Sequence, residues 1–283
     1  MAKLTVNTGL ATRYSNLVDT KLRKLLVLKD GVIFNNRYEG SAKAGAVKAR
    51  VTGEATVADY DIENGTALTK GGSSFMTITI DKDKAVNEII DGFEAAAVPD
   101  AMVADRLDAA AYGLANVIDT DGAVELATNG TQLASTAALT KSNIYKTIVD
   151  VRTQMSKAGV PNDGRRYIIV SPDTYGLVLQ SDEFIKASDL GDAVVQTGAV
   201  GKIAGMLVFE SANLGEGVDF VAGHPDYATR VNEWGVDVHV QDISGSGKYI
   251  GASAVQGRKL YAHKVTNANA IFVKKTAQTQ TPG

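Results

Sequence analysis

Val98–Ile118, VPDAMVADRLDAAAYGLANVI, is the stretch whose reading decides the architecture. Val103, Leu107, Ala110, Leu114 and Val117 recur at spacings of four, three, four and three, which places them on one stripe of an α-helix. Pro99 suits a first turn, where its missing N–H leaves no bond unmade, and Asp100 complements the positive end of the helix dipole. Ala and Leu fill most of the interior, so local propensity agrees with the pattern. A helix of this span is a rod of roughly 30 Å, against an average of about 11–12 residues for globular helices. The rest of the chain hangs from this spine.

Working toward the N-terminus, residues 46–82 read as a long β-hairpin. Val47, Ala49 and Val51 alternate with Lys48, Arg50 and Thr52, and Met76, Ile78 and Ile80 alternate with Phe75, Thr77 and Thr79. Between the two runs lies a polar, glycine-containing stretch, made acidic by Asp59, Asp61 and Glu63, with Lys70 following. A loop of that length is functional or mobile, and two strands alone are marginal in water, so the hairpin is expected to lie on something else, with another subunit the natural candidate. Residues 1–45 read as an arm, with a short helix over Tyr14–Lys29 that Arg23 and Lys24 help make basic. Asp83–Ala97 reads as a charged helix leading into the spine.

Toward the C-terminus, DTDGAVELATNGTQLASTAALTKS after Ile118 reads as a connector. Ser142 or Asn143 then caps a helix over Ile144–Ala158, with Ile144, Ile148, Val151 and Met155 as its buried stripe. Arg166–Val170 is a short apolar strand, and Ser171-Pro172 opens a small helix. Residues 181–200 read as a loop, and strands follow near Ile203–Phe209 and Phe220–Ala222. The alternation makes residues 140–225 an α/β module. The last third is mostly strand, with Trp234, Val236, Val238 and Val240 on one face, and the tail AQTQTPG reads as disordered.

Composition narrows the function classes. The chain has 283 residues, 45% of them hydrophobic, a net charge of −3 and no cysteine. It is long enough for one or two domains. The charge creates no global field for nucleic acid, and the missing thiols exclude disulfides, thiolate metal sites and cysteine nucleophiles. No apolar run approaches the ~20 residues of a membrane span, and the N-terminus lacks the apolar core of a secretory signal.

A search for chemistry returns little. His224, His239 and His263 sit in no metal-binding spacing. Gly245-Ser246-Gly247-Lys248-Tyr249 resembles part of a phosphate loop, but Tyr249 stands where a Ser or Thr must reach Mg²⁺. Gly198-Ala199-Val200-Gly201-Lys202 fails similarly. Asp59-Tyr60-Asp61 and Asp81-Lys82-Asp83 offer oxygen ligands to a hard cation, yet such pairs are ordinary on solvated loops. There is no GxSxG elbow. No catalytic constellation, cofactor or metal is called for. The one enzyme reading that can be assembled is an α/β hydrolase with Ser171, His224 and Asp173 as improvised partners.

The order of parts is more telling than any motif. An arm, a long hairpin, a spine helix, an α/β module and a return through strands resemble the major capsid proteins of tailed double-stranded DNA bacteriophages, the Hong Kong 97-type fold. Residues 78–96, ITIDKDKAVNEIIDGFEAA, running into RLDAAAYGLANVI, are similar to that family's passage from hairpin to spine. RRYIIVSPDTYGLVL followed by VGKIAGMLVFESANL is similar to its axial domain. The resemblance covers about Val47 to Lys274.

The resemblance implies an α+β fold with an N-terminal arm (1–45), an extended hairpin loop (46–82), a peripheral domain (83–120 and 226–266) and an axial domain (121–225 and 267–283). It implies a shell subunit that forms hexamers and pentamers and encloses double-stranded DNA without reading its sequence. The virion is the expected location, with synthesis in the host bacterial cytoplasm. Assembly residues are then expected on the spine (Val103, Leu107, Leu114), the hairpin loop (Asp59, Asp61, Glu63, Lys70) and the arm (Arg23, Lys24). Some relatives carry an N-terminal scaffolding segment that a protease removes; here the hairpin begins within about 46 residues of Met1, so a separate scaffolding protein is expected, beside a portal and a decoration protein. An encapsulin-like compartment shell is the alternative within the fold, and a tail or decoration protein lies outside it.

Overall fold

A computed structural model describes residues 23–38, 45–52, 55–92, 101–181 and 201–276. Pro99, Asp100, residues 14–22 of the expected first helix, residues 182–200 of the expected loop and the AQTQTPG tail lie outside them.

The strands are β1 (Ala46–Thr52), β2 (Ser73–Thr79), β3 (Lys82–Ile90), β4 (Thr131–Gln132), β5 (Tyr167–Val170), β6 (Lys202–Ile203), β7 (Met206–Glu210), β8 (Val218–Gly223), β9 (Ala228–Asp242), β10 (Ser253–Val265) and β11 (Phe272–Lys275). The helices are α1 (Ala101–Asn129), α2 (Ile144–Lys157) and α3 (Pro172–Leu179). Three sheets result: β1 with β2, a three-stranded sheet ordered β3-β10-β9, and a six-stranded mixed sheet ordered β4-β11-β8-β5-β7-β6.

The chain divides into two compact units. The larger, Lys24–Lys84 with Ala115–Val236 and Lys259–Gly283, is organised on β5. All four β5 residues are buried, and their alternation feeds two cores. Ile168 and Val170 meet Ile144, Ile148, Val151 and Met155 of α2, the stripe read from the sequence. Tyr167 and Ile169 meet Ala123, Leu126 and Ala127 of α1 together with Val27, Leu28, Ile33 and Phe34. A strand covered on both faces reads as a continuous apolar run, as YIIV does. The β1–β2 hairpin pairs Ala49 with Met76 and Val47 with Ile78, and this face lies on Tyr38, Val231 and Ala262.

The smaller unit is built from Ala85–Leu114 and Asp237–Arg258. Its core joins Ile90, Ala110 and Val255 to Val86, Val103, Leu107 and Val238. Gly257 allows close approach there, since a Cβ would stand 2.7 Å from a Val238 methyl.

Three sequence readings need correction. The spine does not stop at Ile118 but runs to Asn129, 29 residues in all. The residues that looked like a connector are held in the helix from outside it. Asp119 accepts from the Leu28 N–H (2.8 Å) and from Asn213, Asp121 accepts from the Tyr261 hydroxyl (2.8 Å), and Glu125 accepts from the Val265 N–H (3.1 Å). Gly122 makes room for Phe34, Leu28 and His263, each 3.0–3.2 Å from where its Cβ would stand. Val117, assigned to the buried stripe, is exposed.

Next, residues 83–90 of the charged segment expected as a helix lie in strand β3, at the edge of its sheet, whereas Gly92 is helical. Val86 and Ile90 turn inward while Asp83, Asn87 and Glu88 face out, which protects an edge from pairing with other chains. Finally, residues 23–29, expected as the end of a helix, form neither helix nor strand and lead into a turn at 31–33.

Candidate assembly surfaces

Assembly needs surface that the chain itself leaves uncovered, and residues 55–72 supply it. Of the chain between β1 and β2, residues 55–72 are described, and among them Gly65 alone is even partly covered. The segment nevertheless has a set shape at its tip. The Asp61 side chain accepts from the Glu63 N–H (2.7 Å) and the Asn64 N–H (3.1 Å), which holds its carboxylate below the ordinary range. Asp61 and Gly65 exchange backbone hydrogen bonds, and the Thr66 hydroxyl donates to the Asp59 carbonyl. Gly65 has φ +68°, a left-handed conformation that closes the turn.

On this frame Val57, Tyr60, Ile62 and Leu68 are 91%, 74%, 92% and 103% exposed. The sequence reading weighed the acids here and passed over these apolar side chains. Their signal was large apolar residues inside a polar, glycine-containing loop, where a solvated loop has no use for them. Asp59, Glu63 and Lys70 are exposed on the same segment.

The expected spine residues lie elsewhere. Val103 and Leu107 pack into the smaller unit's core, and Leu114 is buried. Val103 and Leu107 are half-buried against their own chain, and Leu114 is fully so. Arg23 pairs with Asp108 and lies over the Tyr112 ring at 4.9 Å. The Lys24 ammonium donates to the Ala212 carbonyl at 3.3 Å. The arm beyond them is tied down. Asn35 exchanges backbone hydrogen bonds with the β9 end of the fold, accepting from Arg230 N–H (2.9 Å) and donating to Ala228 O (2.8 Å), and Arg37 reaches Asp226 at 2.5 Å.

The improvised triad is not brought together. The Ser171 hydroxyl caps α3, donating to the Thr174 hydroxyl (2.9 Å) and accepting from its N–H (3.3 Å). His224 is fully buried, with Nε2 3.0 Å from Asp163 and Nδ1 accepting from the Asp226 N–H (3.3 Å). His224 and Arg165 together hold the Asp163 carboxyl well below the usual carboxylate range. Asp173 lines the same shallow pocket as Ser171, beside Glu216 and Asp219. Among the described residues, no group of three or more His, Asp or Glu could hold a metal ion, and no helix is long and apolar enough to cross a membrane.

One chain thus carries a small sheet with a charged edge strand, a six-stranded mixed sheet and an uncovered hairpin loop. Solved structures match it over nearly its whole length. The chain is similar to one from Mycobacterium phage Che8, with 23% identity and a TM-score of 0.79 over 95% of this chain and 97% of that one. A capsid structure of the cyanophage P-SCSP1u gives 14% identity and the same score over 95% and 94%. The mature capsid of bacteriophage PhiM1 gives 14% and 0.74 over 96% and 93%. These likenesses establish the Hong Kong 97-type capsid fold. The phage capsid protein family matches residues 79–271, and the chain belongs to that family. Its role is that of a bacteriophage major capsid protein, a structural component of the virion shell. No curated protein matches it in sequence.

Proposed function

We propose that this chain assembles with copies of itself as hexamers and pentamers of an icosahedral shell around double-stranded DNA, and that residues 55–72 make the principal contact between neighbours. One observation carries the reading: four large apolar side chains stand in water on a loop whose tip is internally hydrogen-bonded. Four large apolar side chains left in water on one short loop point to an interaction site. Asp59, Asp61, Glu63 and Lys70 shape and orient that contact. Arg23 and Lys24 fasten the arm (1–45) through Asp108, Tyr112 and the Ala212 carbonyl, and Val103, Leu107 and Leu114 act indirectly by keeping the spine packed. On this reading 46–82 is the extended loop, 83–120 and 226–266 the peripheral domain, and 121–225 and 267–283 the axial domain.

The subunit carries out no catalysis. It is made in the host cytoplasm, assembles with the help of a separate scaffolding protein, and joins a portal and a decoration protein in the virion. Its net charge of −3 favours enclosing DNA without gripping it. The test is negative-stain electron microscopy of the purified protein, alone and co-expressed with its genomic neighbours. Closed shells or six- and five-membered rings are expected. A uniform monomer under all conditions overturns the reading.

A further inference from the structure

Residues 24–38 are a strap laid on the larger unit, and its fastening centres on one buried guanidinium. Arg230 on β9 donates from Nε to His263 Nε2 (2.8 Å), from one terminal nitrogen to Asp30 (3.0 Å) and from the other to the Leu28 carbonyl (2.8 Å). Its Cζ lies 5.1 Å from the centre of the Phe34 ring, which in turn sits 4.9 Å from the centre of the His263 ring. Asp30, Leu28 and Phe34 belong to the strap, so two of the three Arg230 hydrogen bonds and the ring contact all hold it down.

The geometry dictates the protonation state of His263. Arginine only donates, so His263 Nε2 must accept, and the ring's hydrogen belongs on Nδ1. Nδ1 is buried without a hydrogen-bond partner. A second proton has one place to go, Nε2, which is the atom that holds Arg230. Adding it removes that bond and sets two cations face to face in a site closed by Phe34 and Gly122.

We propose that Arg230 and His263 form a proton-gated clasp, which holds the strap at neutral pH and releases it in acid.

The charged and titratable groups around the ring agree with this. Lys82, at the start of β3, adds a second positive charge. Asp30 on the strap and Asp119 on α1 are the nearby acids, but Asp30 is committed to Arg230, and Asp119 to the Leu28 N–H and Asn213. Asp121 on α1 is taken by the Tyr261 hydroxyl, with Asp81 near the same phenol. Among the described residues, none of these carboxylates is hydrogen-bonded to the His263 ring. Burial first, then the Arg230 and Lys82 charges, push His263 down to about 3. The clasp lies within one chain and does not depend on the shell, so microscopy and the following experiment fail separately.

Amide hydrogen exchange of the full chain, corrected for intrinsic rates, reads the strap directly at the Asn35 N–H, which bonds the Ala228 carbonyl. Each pH unit below ~6.5 is expected to lower its protection tenfold, because opening then takes up one proton. His263→Gln keeps an oxygen acceptor for Arg230 and cannot titrate, so its protection is expected to stay level from pH 6.5 to 4.5. Level protection in the unaltered chain, or an equally steep fall in His263→Gln, overturns the clasp. Should that variant lose protection of the β5 amides at neutral pH, the ring itself is followed by NMR in the unaltered chain. A ring still neutral at pH 4.5 while the strap stays closed supports the clasp; one that titrates between 6 and 7 with the strap closed overturns it.

Discussion

Gly92 and the carbonyl of Gly251 pack so closely that a Cβ on Gly92 would stand 2.0 Å from the Gly251 oxygen. Neither partner is a flexible side chain that could step aside. Gly92→Ala therefore forces a backbone shift in the smaller unit and is expected to lower stability by about 3 kcal/mol. Gly113, in the same unit and inside α1, has open space where its Cβ would go. Gly113→Ala is expected to raise stability by about 1 kcal/mol through helix propensity alone. Thermal unfolding of the two variants checks both signs, and a pair that shifts in the same direction contradicts the packing described.

Asp119 ties together three parts of the chain far apart in sequence. Its two oxygens take the Leu28 N–H and the Asn213 amide, all inside the protein. Asp119→Ala leaves the buried Leu28 N–H without its acceptor and the Asn213 amide with Asn116 alone, and urea unfolding is expected to show a loss of roughly 2–3 kcal/mol. Asp119→Asn keeps one acceptor and is expected to lose less.

Stability should fall in mild acid, and His263 sets the window. Its folded value is about 3 against an ordinary value near 6.5. Between these values the unfolded chain binds a proton that the folded chain refuses, so stability rises with pH across this range and is lost as pH falls through it. The loss at pH 3 is about 4 kcal/mol on the same constants. Above pH 5 the ordinary carboxylates are already ionised, so the slope there belongs to the histidine. Urea midpoints from pH 7 to 5 should decline in the unaltered chain and flatten in His263→Gln. Below pH 4 Asp163 adds to the loss, because a carboxylate held ionised by His224 and Arg165 gives up its contribution on protonation.

The loop tip separates folding from assembly. Asp61→Ala removes the acceptor that shapes the turn, and Ile62→Asp charges its most prominent apolar side chain. Both sites are exposed, so the unfolding midpoint of the unassembled chain should not move. Shell yield, read by sedimentation, should drop sharply in both. Full yield from Ile62→Asp would remove the tip from the proposed contact.

How much of this was legible in the sequence depends on where each residue finds its partners. The α2 stripe was readable because Ile144, Ile148, Val151 and Met155 all face one sheet. The Ser171-Pro172 start of α3 was readable because a cap acts within three residues. Asn143 does begin α2, although its amide serves the preceding turn, bonding Thr140 and Ala138, and leaves the helix end uncapped. Residues 119–129 were misread because Asp119, Asp121 and Glu125 find their partners on segments far away in sequence, which no local pattern records. β3 was misread because its charges suit an edge strand as well as a helix surface. In the candidate assembly region the acids were legible as composition, whereas the weight of Tyr60 and Ile62 became visible only when nothing in the chain covered them.

The strap has a consequence in time. Leu28 emerges early in synthesis, yet the arginine that holds its carbonyl comes 202 positions later. At about 5–20 residues per second, a ribosome leaves that carbonyl waiting roughly 10–40 s. Val27, Leu28, Ile33 and Phe34 have no finished surface to settle on until β9, β10 and β11 exist. The order of translation thus acts as a clock: the body that holds the loop tip closes only when the chain is nearly complete.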